Sequence, residues 1–117
     1  MKHQIASRMK RLALETIQMV EQLPQTEASR ILGKQLIRSA TSVGANYRAA
    51  CKAKSRADFI AKIAIAEEEA DETQYWLELL QESGLISEKR FKPLNEEANQ
   101  LTAILAASAK TAKQNRN

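Results

Sequence analysis

The strongest constraint on this chain is how little of it can interrupt a helix. Its 117 residues include three Gly and two Pro, too few turn-formers for a many-stranded β fold. Ala, Leu, Glu, Lys and Gln, all good helix formers, fill the stretches between them. The breakers gather at three places. Leu23-Pro24-Gln25-Thr26 ends a helical pattern. Ala53-Lys54-Ser55-Arg56 is a weaker joint, where Ser55 is an N-cap candidate with Asp58 three residues on. Ser83-Gly84-Leu85-Ile86-Ser87 is a strong one: Gly84 suits a helix C′ position and Ser87 can cap the next helix. The spacing predicts four helices, over 2–23, 26–53, 56–83 and 88–113. Residues 1–113 then form one domain and 114–117 a frayed tail.

Each segment carries apolar residues at alternating steps of three and four. The first shows Ile5, Met9, Leu12, Ile17, Val20 and Leu23, and the second Leu32, Leu36, Ala40, Val43, Tyr47 and Ala50. The third shows Phe59, Ile63, Ala66, Ala70, Leu77 and Leu80, and the fourth Leu94, Ala98, Leu101, Leu105 and Ala112. Long helices joined by short turns are antiparallel neighbours. The expected fold is all-α, an up-down-up-down four-helix bundle. No apolar run approaches the ~18 residues of a membrane span, and no signal-peptide pattern opens the chain, so a cytoplasmic protein is expected. The single Cys excludes an internal disulfide.

Helix 3 has a second stripe. Ile65, Glu69, Glu72, Trp76 and Leu79 are separated by steps of four, three, four and three, about 120° from the first stripe. It is either the edge of a wide core face or a contact between subunits. Leu14 also points away from its own helix's core stripe. On helix 2, Arg38, Ser39, Ser42 and Asn46 flank the apolar stripe. Glu69 and Glu72 are their natural partners in a buried network, in which Arg38 pairs with a carboxylate and Asn46 bonds across the helices.

Charge is segregated. The net charge is +4, yet residues 24–54 carry +5 and residues 55–83 carry −6. Arg30, Arg48 and Lys52 share one side of helix 2, with Lys54 just beyond and Lys10 and Arg11 as further cations on helix 1. This ridge is either a solvated surface or a phosphate-binding one. No catalytic constellation emerges. Carboxylates abound in Glu67-Glu68-Glu69 and Asp71-Glu72, but the one histidine, His3, lies at the terminus, which argues against a di-iron site and a Ser-His-Asp set. Cys51 lacks a histidine partner and is expected to be a structural thiol. Gly33, Gly44 and Gly84 are isolated, so there is no phosphate-cradling loop. No metal, cofactor or enzyme activity is expected.

Gln35-Leu36-Ile37-Arg38-Ser39-Ala40-Thr41-Ser42-Val43-Gly44-Ala45-Asn46-Tyr47 resembles the signature of the four-helix proteins encoded in intervening sequences of bacterial large-subunit rRNA genes. Asp58-Phe59-Ile60-Ala61-Lys62, Glu69-Ala70-Asp71-Glu72-Thr73 and Tyr75-Trp76-Leu77-Glu78-Leu79-Leu80 agree with it. The stretch Asn46-Tyr47-Arg48-Ala49-Ala50 is also similar to the branch holding the accessory variability determinant of diversity-generating retroelements. The resemblance implies a ring-like homopentamer without enzyme activity. In the retroelement branch it further implies a basic surface that meets nucleic acid and a reverse transcriptase. Two functions are therefore expected. One is a sequence-tolerant RNA- or DNA-binding accessory protein using Arg30, Arg48, Lys52, Lys10 and Arg11. The other is a protein-interaction scaffold, docking a polymerase or ribosome-associated partner through the basic ridge or through Glu67, Asp71, Glu78 and Glu82.

Overall fold

The computed structural model describes residues 1–115. Four helices run in order: α1 Lys2–Glu21, α2 Glu27–Cys51, α3 Arg56–Glu82 and α4 Glu88–Gln114. They form an up-down bundle of 52 × 20 × 20 Å. The expected tail starts late, because α4 continues through Gln114; Arg116 and Asn117 lie outside the described residues.

Local chemistry sets the ends. The Thr26 hydroxyl accepts from the Ser29 N–H at 3.1 Å, Ser55 from Asp58 at 3.0 Å and Ser87 from Arg90 at 3.2 Å. Each satisfies one of the donors left open at a helix start. At the end of α3, Gly84 adopts φ +82°, a left-handed value that L side chains resist. The chain then turns so that the Leu85 N–H reaches the Leu80 carbonyl at 2.9 Å, and Ile86 is buried beneath the turn. Pro93 sits in the second turn of α4, where the helix continues without that one N–H.

The core matches the sequence stripes closely on α2 and α3. Leu36, Ala40, Val43, Tyr47 and Ala50 meet Ile63, Ala66, Ala70, Leu77 and Leu80. On α1 the buried set is Met9, Leu12, Thr16 and Met19, while Ile17 lies on the flank and is half-buried. On α4 the stripe continues through Ala109 rather than Ala112, since Leu105 is succeeded one turn later by Ala109. Helix α2 packs most extensively on α3, then α3 on α4 and α1 on α2; α1 and α4 meet least. Their polar tie is Arg8, whose guanidinium donates to both carboxylate oxygens of Glu97 (2.9 and 2.7 Å) and to Gln100 (2.9 Å).

Helix α1 approaches α2 at two glycines. A Cβ on Gly33 would lie 2.9 Å from Cγ1 of Val20, whereas one on Gly44 would lie 3.4 Å from Cβ of Met9. The first is a clash with a stiff β-branched side chain, the second an ordinary contact. Both substitutions to Ala gain helix propensity, about 1 kcal/mol. Gly44→Ala is therefore expected to raise the midpoint of chemical unfolding. Gly33→Ala should lower it, because displacing α1 costs more than the gain, about 1–3 kcal/mol.

Candidate nucleic-acid interface

Of the cations expected on one ridge, Arg30, Arg48 and Lys10 divide between two grooves along the α1/α2 face. The lower groove, about 540 Å³, runs between the first half of α1 and the second half of α2. Lys10 and His3 line it from α1, and Arg48 and Thr41 from α2. Gly44, Ala45, Ala6 and Ala13 keep it open. Among the described residues no acidic side chain lines it. The upper groove, at the α1–α2 turn, holds Arg30 and Lys34 but also Glu21 and Glu27. There Arg30 is paired with Glu27 on its own helix at 2.7 Å. Lys52 is the exposed C-cap of α2, and Arg11 is exposed on α1; neither lines a groove. Among the described residues Lys10, Arg11, Lys34, Arg48 and Lys52 make no ion pair. Lys34, four residues after Arg30 and facing the same way, is a cation of this face that the sequence analysis missed; its helical spacing from Arg30 was the signal.

The stripe on α3 faces α2. Arg38 reaches across with one guanidinium nitrogen 3.3 Å from Glu69 and the other paired with Glu72. The same Glu72 oxygen accepts from the Trp76 indole N–H at 3.0 Å, and Tyr75 meets the Trp76 ring edge-on, with centroids 5.1 Å apart. The expected partners are thus correct, but the network is not buried within one chain. The Arg38 side chain is 46% exposed, against 18% for Glu69 and 35% for Glu72. Trp76 packs against the core, Leu79 is half-buried and Ile65 is exposed.

Ser42 and Asn46 behave differently from expectation. The Ser42 hydroxyl donates to the Arg38 carbonyl (2.8 Å) and the Asn46 amide to the Ser42 carbonyl (2.9 Å). Both bonds stay on α2, because a short polar side chain finds the carbonyl one turn back before it finds another helix. The buried polar link between α2 and α3 is instead Ser39–Thr73. The Thr73 hydroxyl is shared between Ser39 Oγ (3.0 Å) and the Glu69 carbonyl (2.7 Å). A Thr in an otherwise apolar stripe, between Ala70 and Leu77, was the available signal.

The outer face of α3 is acidic: Glu67, Glu68, Asp71, Glu78 and Glu82 make no ion pair among the described residues. Among the described residues no three His, Cys, Asp or Glu side chains gather to hold a metal ion. Burial, with the neighbouring Cys51 adding to it, pushes the Tyr47 phenol up to about 12, so this phenol stays protonated at neutral pH. Among the described residues no helix is long and apolar enough to cross a membrane.

Because the Arg38 network is half-exposed, Arg38→Ala should cost only about 1 kcal/mol in chemical denaturation, and less at high salt.

The 23S rRNA-intervening sequence protein model matches residues 1–107. A crystal structure of a protein of unknown function, from the S23 ribosomal protein family of Bacteroides thetaiotaomicron VPI-5482, superimposes with a TM-score of 0.87. The two sequences are 35% identical, over 94% of this chain and 99% of that one. No curated protein matches the sequence. With a family match across nearly the whole bundle, and a solved relative sharing its fold, the chain belongs to the 23S rRNA-intervening sequence protein family.

Proposed function

We propose that this is a non-enzymatic, homo-oligomeric nucleic-acid-binding protein, whose α1/α2 face contacts phosphates without reading base sequence. The observation that carries the reading is that Lys10, Lys34, Arg48 and Lys52 on this face make no ion pair among the described residues. Lysine and arginine on an open face give phosphate contact and long-range attraction. Among the described residues neither groove is lined by Phe, Tyr or Trp, so the broad aromatic platforms on which bases stack are lacking there. With about four phosphate contacts per subunit, affinity for RNA or DNA should fall about a hundredfold between ~50 and ~200 mM salt and change little with base sequence. Fluorescence anisotropy measures both; undetectable binding at the lower salt removes the reading.

Assembly belongs to the same proposal. Ile65 and Tyr75 on α3 and Ile31 on α2 are exposed, beside half-buried Trp76 and Leu79. Covering that surface with a second subunit removes it from water, and a ring of five repeats the cations so that weak contacts add. Light scattering should give a multiple of the 13.1 kDa subunit mass. Ile65→Glu should reduce it to one subunit with helix content intact. A monomeric wild type at high concentration overturns the assembly.

The unpaired carboxylates of α3 favour a second reading, a scaffold for a protein such as a polymerase. In a pull-down, a partner that survives nuclease treatment supports the scaffold, and one lost with the nucleic acid supports the first reading.

A further inference from the structure

Resting on the nucleic-acid reading, we propose that the basic face does not act as a uniform ridge: the lower α1/α2 groove is the seat of one phosphate group, gripped from opposite walls by Lys10 and Arg48. The two grooves on this face differ in the feature that matters most to an anion. The upper one is lined by Glu21 and Glu27, and its Arg30 is already engaged with Glu27. Among the described residues the lower one has no carboxylate in its lining, and both of its strong cations are unpaired. A phosphate entering the upper groove meets like charge; one entering the lower groove meets none.

The walls supply complementary chemistry. Arg48 offers a planar fork that holds two phosphate oxygens, and Lys10 a point charge on a flexible stem. Ser7, also in the lining, has a hydroxyl with no partner among the described residues and is free to donate. The Thr41 hydroxyl already donates to the Ile37 carbonyl at 2.8 Å and serves as wall. Gly44 is part of the lining, and even a Cβ there would only just touch Met9 of α1, so the helices close the groove from beneath. The ligand is a phosphate carried by a nucleic-acid backbone or by a small phosphate ester. Arg30 and Arg11, outside the groove, add only to the long-range field.

The test is anisotropy with a labelled RNA on Lys10→Gln, Arg48→Gln, the double variant, Arg30→Gln and Arg11→Gln, all on exposed positions. Each groove substitution should weaken binding about tenfold, and the double variant should flatten the salt dependence by about one power of salt, the share of one phosphate. Combined, they should lose less than the product of the two, because one phosphate is shared. Arg30→Gln and Arg11→Gln should change affinity less than about threefold. Ala45→Glu, which places a carboxylate in the lining, should weaken binding more than either neutralisation. Equal losses at all four cations, or no loss from Ala45→Glu, overturn the groove seat while leaving phosphate binding by the face intact; failure of the wild type to bind removes the underlying reading. Amide shifts on titration with a dinucleoside monophosphate and with inorganic phosphate separate the two sources. Shifts confined to the groove with either probe support the seat, tighter for the dinucleotide if the source is a backbone. Shifts spread evenly to Arg30 and Lys34 overturn it.

Discussion

The close approach of α1 to α2 at Gly33, where even a methyl group would stand 2.9 Å from Val20, governs much of the molecule. A hydrophobic side chain there would push α1 outward along its length. Met9, Leu12 and Met19 would then lose their place against Leu36, Val43 and Tyr47. Because α2 also supplies the principal face for α3, it is the shared wall of the bundle. One side of it must be nearly smooth, the other polar enough to carry Arg38 and Ser39, and the stripe between them apolar. Few sequences satisfy all three demands on one helix.

The same division explains why the unpaired cations are concentrated where they are. A smooth α1/α2 contact leaves shallow grooves on either side of the touching points rather than a filled ridge. Into these grooves the two helices present cations, and those of the lower groove meet no neutralising neighbour among the described residues. Most of the acidic charge lies on α3, where only Glu69 and Glu72 are engaged by α2, through Arg38. A modest net charge of +4 thus conceals a strongly polarised surface.

The four helices and their capped starts were legible because caps, breakers and apolar spacing are all local signals. So was the pairing of Arg38 with Glu69 and Glu72, since long charged side chains on neighbouring faces find each other. Burial was less legible. Thr16 and Thr73 are fully buried, which polar type alone does not suggest and which for Thr73 only its place between Ala70 and Leu77 does; Ser39 is buried as expected, but with Thr73 rather than a carboxylate. The fate of Ser42 and Asn46 depended on a competition with their own helix's carbonyls, which spacing does not reveal. Arg30 and Arg48 share a side of α2 but not an environment. The acids that distinguish their grooves, Glu21 and Glu27, come from the end of α1 and the start of α2, so a projection of α2's midsection could not separate the two.

Helix α1 is held chiefly by one neighbour, with the Arg8 clasp as its polar tie to α4. Local opening of such an element costs less than global unfolding, so amide exchange in α1 is expected to be the fastest of the four helices. Detaching α1 also dismantles the groove that Lys10 and Arg48 share. A ligand in that groove would therefore act as a strut, and its binding energy would appear as slower exchange along α1 rather than as a uniform gain across the bundle. Docking of this helix and occupancy of the groove would then be one linked equilibrium.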